Sequence, residues 1–177
     1  MTRRPILLYP DPTLRRKAEP VERFDAELAR LVDDLRETMY DAPGVGLAAP
    51  QIGELRRVTV IDLDPRGPES KLHVLVNPRI VESAGEASDT EGCLSIPDFT
   101  DKVDRPERVK VVAQSVAGEP IELEAEGFFA RALCHEIDHL DGILFIDRLR
   151  GLRRQLALRK LKRLGFEVEN GRASVAG

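Results

Sequence analysis

The sequence lacks the long apolar runs and repeats that mark membrane and solenoid proteins. None of its apolar runs approaches the roughly 20 residues that a membrane-spanning helix needs. Near the amino terminus only residues 6–9 form an apolar run before Pro10, which is too short for the apolar core of a secretion signal. We therefore expect a protein that acts in the cytoplasm and has no membrane partner. Its 177 residues fit one domain.

Cysteine is also scarce, because Cys93 and Cys134 are the only two in 177 residues. In a reducing compartment, such cysteines act as metal ligands, nucleophiles or buried apolar groups more often than as a disulfide. The sequence therefore predicts no disulfide framework, and each thiol needs its own explanation.

Charge is unevenly distributed along the chain. The net charge is −4, yet residues 148–163 contain eight Lys or Arg and no acidic residue, which leaves 19 basic against 31 acidic residues elsewhere. A basic segment on an acidic body suggests a partner for that segment. The whole composition, 42% hydrophobic and 33% charged, is typical of a globular protein.

Hydrophobic periodicity predicts three helices with a group of strands between the first and the second. Helices are expected over residues 25–40, with Asp25 as N-cap, over 127–140, and over 147–164 before Gly165. Strands are expected over residues 57–63, 72–77, 79–83, 108–115 and 121–125. Since the strands are clustered and do not alternate with helices, the fold class is α+β.

The motif His135-Glu136-Ile137-Asp138-His139 is the strongest chemical signal. Residues four apart share one face of a helix, so both imidazoles can reach one metal ion. Glu136 lies about 100° around the helix from His135, close to the water that such an ion activates. We therefore expect a hydrolytic metal site on the second helix.

A hydrolytic metal site usually has three protein ligands and one open position. Cys93, in the segment Glu91-Gly92-Cys93-Leu94-Ser95, is the best candidate for the third ligand, since thiolates bind zinc and ferrous iron well. His73 lies in a strand-like run and is interpreted as an ordinary strand histidine. Cys134 points about 100° away from His135 and is interpreted as a small core residue.

Three segments together resemble the signature motifs of the peptide deformylase family. They are residues 44–51 (GVGLAAPQ), 91–95 (EGCLS) and 135–139 (HEIDH). In this order and at these separations they are highly specific, and the resemblance extends from about residue 8 to residue 148. No position that the family uses for chemistry departs from its pattern, although many relatives have Gln where this chain has Cys134.

The resemblance implies antiparallel sheets around a central metal-binding helix, with a C-terminal helix. From length and periodicity we expect one catalytic domain over residues 1–165, including a basic helix over 147–164, and a frayed tail over 166–177. The resemblance also implies one divalent metal ion held by Cys93, His135 and His139. Fe²⁺ is the expected ion in the cell, and Zn²⁺, Ni²⁺ or Co²⁺ can substitute.

The implied reaction is removal of the formyl group from the formyl-methionine of a nascent polypeptide, with release of formate. Glu136 is the expected general base, while the Gln51 side chain and the Leu94 backbone N–H are the expected donors to the formyl oxygen. Substrate-binding residues are expected at Gly44, Val45, Gly46 and Leu94, and the two glycines let a substrate strand lie close.

Two alternatives remain open from the sequence. A metalloprotease shares the H-E-x-x-H motif, with Asp141 or Asp147 as a possible downstream ligand. A catalytically silent relative would use the metal only for structure, or would only bind ribosomes, but such a protein is expected to have lost Glu136 or Gln51.

Two further predictions concern charged residues. At least one acid–arginine pair is expected among Glu91, Asp138, Arg105 and Arg108, to support the metal site. In the third helix, Leu149, Leu152, Leu156 and Leu164 are expected to face the body. The basic residues then form an exposed surface for ribosomal RNA, comprising Arg150, Arg153, Arg154, Arg159, Lys160, Lys162 and Arg163. A solvated helix face is the simpler interpretation of the same charges.

Overall fold

The computed structural model describes residues 2–169, which form an α+β fold, as predicted. The helices are α1 (Ala26–Asp41), α2 (Gly127–Leu140) and α3 (Gly151–Arg163). The strands are β1 (Gly46–Ala48), β2 (Val58–Ile61), β3 (His73–Ala84), β4 (Ala87–Cys93), β5 (Ile96–Arg105), β6 (Arg108–Gln114) and β7 (Pro120–Glu126). Five strands form an antiparallel sheet in the order β1-β2-β3-β6-β7, and β4 pairs with β5 in a separate hairpin.

Helix α1 begins where the sequence predicts. The Asp25 side chain accepts a hydrogen bond from the Leu28 N–H at 3.1 Å and so caps the helix. The apolar residues at helical spacing are buried, from Leu28 to Met39, and pack with β1 and β2. Burial of this face provides the main stabilisation of α1, since a helix of this length is marginal in water on its own.

Helix α2 has the predicted bounds and is buried along most of its length. Every residue from Ala130 to Leu140 is buried, including Arg131, Glu136 and Asp138. The helix lies against all five strands of the larger sheet, and Arg131 joins it to the β4–β5 hairpin. The H-E-x-x-H motif therefore lies in the interior of the molecule.

The strand predictions were partly wrong. The two strands expected over 72–77 and 79–83 form one strand, β3, in which Pro78 causes an irregularity between Val76 and Arg79. Strand β1 and the whole β4–β5 hairpin were not predicted. In β5 the buried Ile96, Phe99 and Val103 lack the alternation of a regular strand, because residues 97–99 bulge out of the register.

Helix α3 begins four residues later than predicted, because a 3₁₀ turn, Phe145–Arg148, comes first. Leu149 is buried, as predicted, but Leu152, Leu156 and Leu164 are exposed, so that prediction was wrong. The helix contacts the body through another stripe at helical spacing, namely Arg154, Ala157, Leu158 and Leu161. Both stripes satisfy the helical period, and the sequence alone does not choose between them.

The segment after α3 packs back onto the amino-terminal segment. The Phe166 ring lies 6.3 Å from the Tyr9 ring, and Arg15 forms ion pairs with Glu169 and Asp147. Within the tail expected over residues 166–177, Phe166 and Glu169 thus make tertiary contacts, and residues 170–177 lie outside the described part. Among the described residues, no helix combines the length and apolarity needed to cross a bilayer.

Candidate metal centre

The two motif histidines occupy one face of α2. Their Nε2 atoms lie 3.2 Å apart, as expected for residues one turn apart on a helix. Burial, followed by the neighbouring His135, lowers the pKa of His139 well below its ordinary value. That shift favours the neutral imidazole of His139, which is the form that binds a metal. Burial acts in the same direction on His135, but hydrogen bonds with Cys93 and Glu91 outweigh it and raise the pKa of His135.

Cys93 completes a group of three ligand atoms. It ends β4, directly before the two-residue turn of Leu94 and Ser95 that leads into β5. Its Sγ lies 3.3 Å from His139 Nε2, and the ligand atoms of Cys93, His135 and His139 all lie within 4.8 Å of one another. One sulfur and two imidazole nitrogens fit a divalent ion such as zinc or ferrous iron.

Glu91 orients the first imidazole. Its Oε2 accepts a 2.8 Å hydrogen bond from His135 Nδ1, which leaves the Nε2 lone pair of His135 directed at the other ligand atoms. Burial alone would raise the pKa of Glu91, but hydrogen bonds from His135 and Arg105 outweigh it and hold the pKa well below its ordinary value. Glu91 is therefore an ionised, buried acceptor.

The predicted acid–arginine pairing is confirmed for three of the four residues. Arg105 donates to Glu91 through Nε at 2.9 Å and to Asp138 Oδ2 at 2.6 Å. Arg148 also donates to Asp138, at 2.8 Å. Arg108 is exposed and does not contribute to this network.

Glu136 lies beside the histidines with its carboxylate against β1. Within residues 2–169 no hydrogen-bond partner is found for its buried Oε2. Burial raises the pKa of Glu136 to about 7, although His135 opposes the shift. A Cβ added to Gly46 would lie 2.5 Å from Glu136 Oε1, so any other residue there would have to displace the Glu136 side chain. This close approach gives Gly46 a structural role in addition to the one expected from the sequence.

The Gln51 amide is fixed in one orientation. Its Oε1 accepts from the Ala48 N–H at 3.0 Å. Its Nε2 therefore points to the other side, where it donates to Ser95 Oγ at 3.1 Å and lies 3.7 Å from Cys93 Sγ. The amide donor thus faces the candidate metal ligands.

A pocket of about 400 Å³ opens onto this group. It is lined by all the predicted substrate-binding residues and by Gln51, Cys93, His135 and Glu136, whereas His139 does not line it. Phe99 and Phe128 add apolar surface to the lining, and Phe128 is largely exposed. A ligand in the pocket can therefore touch both the candidate metal site and an apolar wall.

The structure agrees with the sequence interpretation of His73 and Cys134, and it shows one contact that the sequence analysis missed. The His73 ring lies 4.8 Å from the Phe129 ring and is not part of the Cys93 group, as expected for a strand histidine. Cys134 is buried in the core, and burial raises the pKa of its thiol to about 11. The contact between Arg131 and Glu91 was missed, although an arginine one turn before His135 on a helix with an apolar face was a usable signal.

Comparison with known proteins gives one consistent result. The family model for polypeptide deformylase matches residues 3–155. The peptide deformylase of Acidobacterium capsulatum is 52% identical over 162 residues, which cover 91% of this chain and 95% of that protein.

Solved structures agree with the sequence comparison. A peptide deformylase from Legionella pneumophila superposes with a TM-score of 0.85 at 49% identity, covering 92% of this chain and 95% of that one. A peptide deformylase from Synechococcus elongatus, solved with actinonin, gives a TM-score of 0.87 at 41% identity, with 95% and 91% coverage. The chain therefore belongs to the polypeptide deformylase family, whose members are hydrolases that remove the formyl group from nascent polypeptides.

Proposed function

We propose that the chain hydrolyses the formyl-methionine amide with one divalent ion held by Cys93, His135 and His139. The observation that carries this proposal is that Cys93, His135, the Glu136 carboxylate and the Gln51 amide meet at one pocket, with His139 grouped beside Cys93 and His135. Peptide deformylases are metal-dependent, and this donor set matches that requirement.

Fe²⁺ is the ion we propose for the cell, with Zn²⁺, Ni²⁺ or Co²⁺ as substitutes. All four bind thiolate and imidazole, so the ligand atoms do not select one of them strongly. When bound, such an ion supplies Lewis acidity, which lowers the pKa of water toward ~7 and makes hydroxide available at neutral pH.

Glu136 then transfers protons. Its carboxylate takes a proton from the attacking water as oxygen bonds to the formyl carbon. The same carboxyl group returns the proton to the amide nitrogen as the C–N bond breaks, so that water and the formamide give formate and a free amino terminus. A buried carboxyl whose pKa is near neutrality suits both steps.

Two donors stabilise the negative charge on the formyl oxygen. One is Gln51 Nε2, whose direction is fixed because Gln51 Oε1 accepts a hydrogen bond from the Ala48 N–H. The other is the backbone N–H of Leu94, in the turn directly after Cys93. Gln51 lies in a 3₁₀ turn and Leu94 in the turn between two paired strands, so we expect little reorganisation as charge develops.

Gly44, Val45, Gly46 and Leu94 bind the substrate on the side of β1. Because β1 is an edge strand of the larger sheet, an extended peptide can lie along it and form backbone hydrogen bonds. The side chains of Val45 and Leu94, which line the pocket, then flank the methionine.

A metalloprotease would need Asp141 or Asp147 as its third metal ligand, and both carboxylates are bound to other groups. Asp141 accepts from Arg57 at 2.7 Å, and Asp147 pairs with Arg15 and accepts from the Leu144 N–H, so both are engaged elsewhere. The silent alternative is disfavoured because Glu136 and Gln51 are both present and both lie at the pocket.

We further propose that α3 brings the protein to ribosomes, whose RNA surface is negatively charged. The exposed side of α3 presents Arg153, Arg159, Lys162 and Arg163, and Arg150 is exposed directly before the helix. Such a surface attracts phosphate without base specificity. Nascent formylated chains emerge from ribosomes, so we expect the protein to act in the cytoplasm.

One experiment tests the hydrolysis. The full chain is purified without oxygen, its metal content is measured, and formate release from a formyl-Met peptide is followed. The Glu136→Gln variant should retain the metal and lose activity by about 10²–10⁴-fold, the range for general acid–base catalysis. Near-normal turnover of this variant at full metal loading would overturn the role of Glu136, and cleavage of internal peptide bonds instead would favour the protease.

A further inference from the structure

Arg131 extends from α2 into the β4–β5 hairpin, one turn before His135. Its Nη1 donates to the Val103 carbonyl at 2.7 Å and to Glu91 Oε1 at 3.0 Å. Its Nη2 donates to the Ala87 carbonyl at 2.9 Å. One guanidinium therefore contacts both strands of the hairpin and the acid that orients His135.

This arginine lies between two parts of the candidate metal site. Helix α2 carries the two histidines, and β4 carries both Glu91 and Cys93. The position of Cys93 Sγ relative to the imidazoles depends on how the hairpin packs against α2. Arg131 fixes that packing at three acceptors, with a planar group that has limited freedom to readjust.

Arg105 makes the complementary connection. It starts from β5 and reaches Asp138 on α2, while it also holds Glu91 within the hairpin. Without Arg131, Glu91 therefore still has a buried positive partner, and its hydrogen bond from His135 persists. Loss of Arg131 should loosen the hairpin without leaving Glu91 as an unpaired buried charge.

We propose that Arg131 is a positioning residue that sets the distance between Cys93 and the two histidines and thereby the affinity for the metal. The proposal rests on the metal site described above. The side chain is only 6% exposed, and its three acceptors all lie on the hairpin that bears Cys93. A purely structural arginine would stabilise the fold and leave metal affinity unchanged.

The test uses Arg131→Met in the full chain, with Arg57→Met as a matched control. Arg57 is also largely buried and also holds the end of α2, through Leu140 and Asp141, but its hydrogen bonds reach neither Glu91 nor the β4–β5 hairpin. Affinity for Co²⁺ is measured by competition with a chelator, and stability by denaturant unfolding. We expect Arg131→Met to weaken Co²⁺ binding by about 10–100-fold, the range for residues that support metal ligands, and Arg57→Met to weaken it less than about twofold.

Two further readouts separate positioning from general destabilisation. The cobalt–thiolate absorption band should shift or weaken in Arg131→Met and stay unchanged in Arg57→Met. In a Glu91→Gln background, Arg131→Met should cost less affinity than it does alone, because the two residues act together. Arg131→Lys keeps the charge without the three-way contact, so it should fall between wild type and Arg131→Met; it also serves as the test variant if Arg131→Met does not fold.

Each remaining outcome counts against the proposal. Wild-type affinity with an unchanged cobalt band in Arg131→Met or Arg131→Lys overturns it, and so does an equal loss of affinity in Arg57→Met. A wild-type chain that binds no Co²⁺ overturns the proposed metal site, and this inference with it. Co²⁺ binding that is tight and equal in wild type and variant overturns the role of Arg131 alone.

Discussion

Gly46 and Glu136 are in close contact, although 90 positions separate them in the sequence. The absence of a side chain at Gly46 lets β1 lie against the Glu136 carboxylate. The position of the proposed base thus depends on a glycine in another element. From the sequence alone the glycine looked like a substrate contact, and its contact with Glu136 follows only from the packing of β1 on α2.

We predict that Gly46→Ala lowers kcat strongly while the metal is retained. The new Cβ would lie 2.5 Å from Glu136 Oε1 and must displace the carboxylate. A shift of about 1 Å in a catalytic group can cost on the order of 10²-fold in rate. Steady-state kinetics and metal analysis check this.

The control for that variant is Gly44→Ala. Its Cβ would lie 2.6 Å from the Leu94 Cδ1, the end of a flexible side chain that can rotate away. We expect KM to change more than kcat in this control. An equal loss of kcat in both variants would show that the whole loop was disturbed, and would count against a specific contact with Glu136.

Substitution of Cys93 and substitution of Cys134 should have different effects on metal binding. Cys93→Ala should lose metal binding, because it removes one of three proposed ligands. Cys134→Ala should keep the metal and lower the free energy of unfolding by about 1 kcal/mol, as is typical of a small core change. Metal analysis and denaturant unfolding of both variants check this, and metal loss in Cys134→Ala alone would reverse the assignment.

At the scale of elements, local signals predicted the helices better than the strands. Asp25 and the apolar stripe of α1 are local features, as are the ends of α2 at Gly127 and Leu140. The β4–β5 hairpin carries few apolar residues, and its bulge puts Ile96, Phe99 and Val103 out of alternation. Its strands are held by contacts with α2 and with the turn before α3, which no window of sequence contains.

Helix α3 provides the clearest test of how an element packs. Leu161 is fully buried and Leu152 is 68% exposed, on the same helix. We predict that Leu161→Ala lowers the free energy of unfolding by about 2–5 kcal/mol, as for other buried leucines. Leu152→Ala, the matched control, should change it by less than about 0.5 kcal/mol. Equal losses in denaturant unfolding would mean that α3 packs through the stripe first predicted from the sequence.

At the scale of the whole molecule, the candidate site draws on three segments that are distant in the sequence. Residues 44–51, 91–95 and 135–139 carry the motifs, and the residue types in these motifs are sufficient to indicate the chemistry. Arg105 and Arg131, which hold the second segment against the third, lie outside all three motifs. A motif can reveal the groups that face the substrate, whereas the residues that position them depend on the tertiary packing.

The contacts of the basic residues on α3 determine which of them can be changed to test ribosome binding. Arg153 donates to the Lys102 carbonyl, Arg154 donates to the Ile146 carbonyl, and Lys160 lies 5.5 Å from the Phe99 ring centre. Reversing those charges would disturb the fold as well as any docking. Arg159, Lys162 and Arg163 are exposed, so they are the better targets.

We predict that the wild-type chain binds ribosomes weakly and that binding falls steeply as salt is raised, because phosphate contacts release counterions. Changing Arg159, Lys162 and Arg163 to Glu should abolish this binding and leave turnover of a short formyl-Met peptide nearly unchanged. The control carries the same change of charge at the exposed Arg23, Arg30 and Arg66. Cosedimentation with ribosomes over a salt series measures both variants. If the α3 variant still binds, or if the control loses binding equally, then α3 is not the docking surface and its charges are a solvated face.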